Sequence, residues 1–247
     1  MLDALINAWR TPDLRRKLLF TFGMLVIFRF VAHIPIPGVD LVSLNRLFQS
    51  NQLLGMLDLF SGGAMRNLSV ASMGVYPYIT ASIIMQLMVP VIPALDALSK
   101  EGEVGRHRIN RYTHWITVPL AGLQAFGQLA LFQSQGVVSN VGVTGANLLP
   151  TLAMVISMIA GTVFLVWVGE LITENGIGNG VSVIIFGGSV ASLRELVLQG
   201  FVGASGGGNF MGIVAFAVLG VGLVAAIVFF QEAQRLIRCR PTSPSFE

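Results

Sequence analysis

Charge is scarce in this sequence. Asp, Glu, Lys and Arg together make up 11% of the 247 residues, against 54% hydrophobic residues and a mean hydropathy of +0.76. A chain so poor in charge cannot clothe a soluble surface, which excludes an ordinary soluble domain and indicates a polytopic membrane protein. Cysteine is all but missing. The single Cys239 excludes a disulfide framework within the chain and argues against redox chemistry. Histidine is rare too: His33, His107 and His114 have no Cys, Asp or Glu cluster beside them, so no metal site is expected. There is no His-Glu-x-x-His, and no Gly-x-Gly-Asp pair for an intramembrane aspartyl protease. An intramembrane serine nucleophile would need a His well inside a run, but His33 is at a run end and His107 and His114 are at the membrane edge. The carboxylates near the apolar runs, Glu170 and Glu174 among them, sit at run boundaries, which gives a proton relay little to work with. Gly176, Gly178 and Gly180 do not fit a phosphate-binding pattern, and no Lys-Ser/Thr follows; they read as a tight inter-helix turn needing positive φ. No enzyme activity, cofactor or metal is expected.

What is present is a series of apolar runs at 18–34, 73–88, 115–132, 151–171, 181–198 and 210–230, about six candidate transmembrane helices. The basic residues fall between them. Arg10, Arg15, Arg16 and Lys17 precede the first run. Lys100, Arg106, Arg108 and Arg111 follow the second. Arg235, Arg238 and Arg240 follow the last. Counting runs puts all three groups on one side, with only Arg46, Arg66 and Arg194 on the other and Arg29 inside a run. The excess of positive charge places the N-terminus in the cytoplasm. The sequence pI near 9.5 therefore reports membrane orientation rather than nucleic-acid binding. Four stretches are expected: a cytoplasmic segment over 1–17, spans one to five over 18–198, an outer loop and sixth span over 199–235, and a tail over 236–247. In the spans, Gln124 and Gln128 are four apart and share one face, directed at protein or water, and Ser157 and Gly161 form a small-xxx-small pair that lets helices approach.

The stretch over 57–88, LDLFSGGAMRNLSVASMGVYPYITASIIMQLM, is the least ordinary. Its first piece, 57–69, is apolar but short. At about 1.5 Å per residue it reaches roughly 20 Å into a core of about 30 Å. It also carries Ser61, Gly62, Gly63, Asp58 and Arg66. Irregular backbone survives at membrane depth only when protein or a water-filled cavity surrounds it. A half-helix entering a central cavity is one reading; a full span with a Gly-rich lead-in loop is the other. A channel or a small six-span secondary transporter would both use such a break.

RKLLFTFGMLVIFRFVAHIPIPGVD at 16–40 resembles the first span of the SecY family, the protein-conducting channels of the Sec translocon. The 57–88 stretch resembles that family's plug and second span. KEGEVGRHRINRYT at 100–113 and GELITENGIGNGVSVIIFGGSV at 169–190 are similar to its second cytoplasmic segment and the turn between its fourth and fifth spans. The resemblance implies an all-α polytopic membrane protein, the N-terminal part of the SecY fold, with a short re-entrant plug helix. It implies a plug formed by Leu57, Asp58, Leu59, Phe60, Ser61, Gly62, Gly63, Ala64, Met65, Arg66, Asn67, Leu68 and Ser69. It further implies an apolar pore ring to which Ile79, Ile83, Val181 and Ile185 contribute; from the residues alone, plain helix packing explains these four as well. The implied setting is the cell inner membrane. The implied partners are the SecE and SecG subunits, the SecA motor or the ribosome, signal sequences, nascent secretory chains and lipid. Past Arg235 the sequence LIRCRPTSPSFE departs from the family, whose chain continues through further spans. A truncated or frameshifted product, unable to translocate protein alone, is the expectation.

Overall fold

The computed structural model describes residues 11–50, 61, 63–138, 141–142, 145–191 and 210–233. The plug residues Leu57, Asp58, Leu59, Phe60 and Gly62 lie outside them, as do most of the stretches at 1–17, 192–209 and 234–247. The chain divides into two compact units, Met1–Leu193 and Arg194–Glu247. In the second unit the described residues form one apolar helix, Phe210–Ala233.

In the first unit each expected apolar run is helical over most of its described length; the first ends at Val31 and the second begins at Tyr76. Helix α1, Pro12–Val31, opens with Pro at its first turn, where the missing N–H is no loss. It carries Asp13 in that turn and Arg29 in its last, each complementing the helix dipole. It starts well before the expected span because its basic residues are themselves helical. Asp40 then caps α2, Leu41–Ser50: its carboxylate accepts the Val42 N–H at 3.0 Å and the Ser43 hydroxyl at 2.6 Å. Helix α3, Tyr76–Met88, is followed by α4, Pro93–Lys100, with a bend of 98° between them. Pro90 and Pro93 account for the break. Lys100 and Asp96, one turn apart on α4, pair at 2.7 Å.

Helix α5, Glu103–Ser134, absorbs most of the basic segment that the sequence suggested was a loop. A short 3-10 turn, Gly145–Asn147, leads into α6, Leu148–Asn175, and α7 runs over Gly180–Ala191. By length and apolarity α5 and α6 are long enough to cross a membrane, and α3 with α4 is a third if the bent pair is one span.

Helix α6 is the hub. It packs on α1, α3 and α5, and α5 also receives α3 and α4. One cluster gathers Leu44, Leu68, Leu129, Phe132, Val137 and Met158. The other gathers Phe28, Ala71, Val75, Leu165, Ile172 and Ile184, with Ile79, Val181 and Ile185 at its edge. Ala121 and Ala125 of α5 are fully buried. The Ser157/Gly161 pair behaves differently. Ser157 is half-buried and donates to the Ala153 carbonyl, while Gly161 faces the Val70 carbonyl of a turn, not another helix.

On either side of α2 the chain is also clipped to itself by backbone hydrogen bonds. Ile36 N–H donates to the Leu68 carbonyl and Val70 N–H to the Ile34 carbonyl, both at 3.0 Å, with Pro35 and Ser69 bridged. Asp40 N–H reaches the Val137 carbonyl at 3.0 Å, tying the same connector to the far end of α5.

Candidate functional site

The clipped segment walls a cavity of about 580 Å³. Ser61, Met65, Ser72, Met73, Val75, Tyr76 and Ile79 line one side, Gln124 and Gln128 of α5 another, and Ile185 of α7 the third. Local sequence explains each wall. Ser61 is helical, and its hydroxyl accepts the Met65 N–H at 3.0 Å; residues 63–68 then turn instead of continuing the helix expected as far as Ser69. Gly63, at φ +81°, and Leu68, at φ +37°, hold left-handed backbone that a continuous helix forbids. Ala64, Leu68 and Ser69 are buried, so these turns are packed into the protein, as irregular backbone at membrane depth requires. The second helix accordingly starts at Tyr76 rather than residue 73.

The structure brings together Ile79 and Ile185 of the expected ring, and Ser61 and Met65 of the expected plug, on one cavity. It does not bring Ile83 and Val181 there. Ile83 is 52% exposed, and Val181 packs beside Gly169 at the edge of the core. Ala64, Arg66, Asn67, Leu68 and Gly63 stand in the turns behind the cavity wall. The shared face of Gln124 and Gln128 does point at the cavity. Gln124 Oε1, Gln128 Nε2 and Ser72 Oγ are buried with no protein partner. Unsatisfied polar atoms around a space of this size are groups that water satisfies. The lining is thus mixed, not the purely Ile and Val face expected from the sequence, and its polarity does not by itself separate a channel from a transporter.

The glycine turn between α6 and α7 is built as its spacing suggested. Gly178 has φ +73°. Gly180 sits so close to the Gly169 carbonyl that a Cβ would overlap it. Thr173 Oγ1 donates to the Gly169 carbonyl and accepts the Gly180 N–H, both at 2.9 Å. Asn179 Oδ1 accepts the N–H groups of Val181 and Ser182 at 3.1 and 3.3 Å, starting α7 and setting the direction of Ile185.

A second polar constellation went unnoticed in the sequence because its members are far apart in the chain. Tyr78 of α3 donates its O–H to Asn110 Oδ1 at 3.2 Å. Asn110 Nδ2 donates to Glu170 Oε1 of α6 at 3.1 Å, and His114 Nε2 lies 3.1 Å from the same oxygen. The Tyr78 and His114 rings stack at 5.4 Å with 28° between their planes. His114 Nε2 is thus near Glu170 but makes no hydrogen bond to it, and the ring stack on Tyr78 is its firmer contact. Among the described residues no group of three or more His, Cys, Asp or Glu is arranged for a metal.

The SecY family model matches residues 69–244, more than half of the chain. The chain belongs to the SecY family. The match continues to residue 244, into the stretch at 236–247 that the sequence suggested was unrelated. The protein translocase subunit SecY of Streptomyces coelicolor is 44% identical over 250 residues, and that of Streptomyces scabiei 43% over 250; each alignment covers 96% of this chain and 56% of the relative. The subunit of Pseudomonas aeruginosa is 40% identical over 241 residues, covering 96% of this chain and 53% of the relative. The chain thus spans a little over half the length of the curated relatives it matches. Sec61 in the canine ribosome-channel complex from the endoplasmic reticulum aligns over 93% of this chain and 49% of its own at 19% identity, with a TM-score of 0.46, a likeness too low to carry an argument. Membership in the SecY family makes this an α-helical membrane protein.

Proposed function

We propose that this chain supplies one wall of a protein-translocation channel, without catalysis and without a cofactor. In this reading residues 57–69 plug the outer funnel. Ile79 and Ile185 stand in the constriction, with Ile83 and Val181 presented to it from the same two helices once the remainder of the channel is in place. The supporting observation is the cavity of about 580 Å³ where Ile79 and Ile185 meet Ser61 and Met65. Four residues from two separately expected elements, plug and ring, share one space. An apolar constriction dewets a narrow passage and stops ions, and aliphatic side chains yield to a passing chain because they hold it nowhere strongly. An apolar segment of about 20 residues leaves such a passage sideways into lipid, where its burial is favourable, while polar backbone does not.

The same reading places the N-terminus in the cytoplasm and the protein in the inner membrane. Its partners are SecE, SecG, and either SecA or the ribosome; its substrates are signal sequences and nascent secretory chains. The test joins residues 1–235 to the remaining half of the Streptomyces coelicolor relative and asks whether the hybrid supports secretion in cells depleted of their own channel. In that hybrid Ile79→Asn or Ile185→Asn is expected to raise ion leakage and relax signal-sequence selection. Secretion with unchanged leakage and selection in both variants would reduce these residues to helix packing.

A further inference from the structure

The helix that carries Ile79 is short; Pro77, Ala81 and Met85 bury one face of it, and Tyr78 ties it by polar contacts. Helix α3 has 13 residues and ends at the 98° bend before α4. Further along α3 than Tyr78, the helix parts from α5 around a cavity of about 210 Å³, into which Ser82, Gln86, Arg106 and Thr113 face. Beyond Tyr78, then, α3 is held by the apolar contacts of Ala81 and Met85, has this volume beside Ser82 and Gln86, and has no continuous helix after it. Tyr78 is the polar fastening: its O–H reaches Asn110, which donates to Glu170 Oε1, and its ring lies on His114, whose Nε2 stands 3.1 Å from the same oxygen without a hydrogen bond. Three helices meet in four side chains.

We infer that Asn110, His114 and Glu170 form a positioning latch that holds α3, through Tyr78, against α5 and α6, and so sets where Ile79 stands. The inference deepens the channel reading above and rests on it only for the role of Ile79. The chemistry suits a fastening that lets go. Tyr78 contributes a neutral hydroxyl and a ring, so releasing α3 strands no charge on the moving helix. The Glu170 carboxylate keeps Asn110 on the static side by a hydrogen bond and His114 by proximity. His114 and Glu170 side chains are 30% and 39% exposed, so water stands ready to replace what Tyr78 gives up. Hydrogen bonds between membrane helices are individually weak, which makes this a latch rather than a rivet.

The experiment uses the 247-residue chain in membrane vesicles. Cys239→Ser removes the only cysteine, and Ile79→Cys then reports exposure of α3 through its rate of maleimide labelling. Tyr78→Phe keeps the ring and deletes the donor; it is expected to speed labelling by roughly three- to tenfold, the scale of one interhelical hydrogen bond. Glu170→Ala is expected to do at least as much, and Glu170→Gln, which retains an acceptor oxygen, to restore most of the slow rate. Tyr78→Phe with Glu170→Ala should label no faster than Glu170→Ala alone, because both break one connection. Labelling unchanged by either single variant, or multiplied in the double, would overturn the latch. The readout follows α3 whether or not Ile79 bounds a pore. Latch variants that label faster, in a hybrid whose ion seal ignores Ile79→Asn, would leave the latch standing and remove the pore reading.

Discussion

Gly161 lies in the middle of a transmembrane helix, where alanine is ordinarily an improvement, yet Gly161→Ala is expected to damage this protein. A Cβ on Gly161 would overlap the Val70 carbonyl oxygen and lie 2.7 Å from both the Val70 carbonyl carbon and Cγ1. Carbons in contact sit about 3.5–4.0 Å apart, so the turn must retreat by roughly 1 Å. It is not free to do so. Val70 N–H is bonded to the Ile34 carbonyl at 3.0 Å, and Leu68 accepts Ile36 N–H at 3.0 Å. Overpacking costs about 1–3 kcal/mol, and loosening one clip bond adds about 1 kcal/mol. The sum, about 2–4 kcal/mol, is roughly a 30- to 900-fold fall in the folded-to-unfolded ratio. Two glycines on α5 supply the controls. Nothing lies within 4 Å of a Cβ at Gly127, and one at Gly122 would meet only Ile159 Cδ1 at 3.4 Å. Unfolding in mixed micelles, followed by circular dichroism, should shift clearly for Gly161→Ala and little for Gly127→Ala or Gly122→Ala. Coincident curves for all three would refute the steric argument. Because Ser72 and Met73 line the cavity just after Val70, Gly161→Ala should also change labelling of cysteines placed there.

Two further outcomes follow from local geometry. The Ser43 hydroxyl, and after it the Val42 N–H, hold the Asp40 carboxyl below its ordinary value of 3.8. A lowered folded value means that the cap's contribution is present above the unfolded value and is lost as pH falls through the folded one. Amide protection factors at 42–44 should therefore hold near neutral pH and fall below about pH 4; the same acid loss persisting in Asp40→Asn would assign it to another group. Thr173→Val preserves shape but leaves the buried Gly180 N–H without its acceptor. A loss of about 1–3 kcal/mol is expected, with Thr173→Ser restoring it. Protease resistance of the α6–α7 turn that is equal in all three forms would show that the hydroxyl is not what closes it.

The sequence by itself determined the membrane class, the six apolar helices and the positions of the breaks, because these depend on quantities local to the chain. Run length, charge density, prolines at 90 and 93, and glycines at 176, 178 and 180 each act on their own neighbourhood. It also brought Gln124 and Gln128 onto one face, since a period of four is a property of one helix. Tertiary structure decided the rest. Residues 63–70 turn rather than spiral because Leu68 and Val70 are clipped to residues 34–36 and Val70 is pressed on Gly161, and those partners lie far off in sequence. Ile79 and Ile185 share a cavity while Ile83 and Val181 do not, since facing depends on how α3 and α7 are rotated against α6. Tyr78, Asn110, His114 and Glu170 look like unrelated polar residues on three separate runs. Only the antiparallel packing of α3 and α5, with α6 behind them, makes them neighbours.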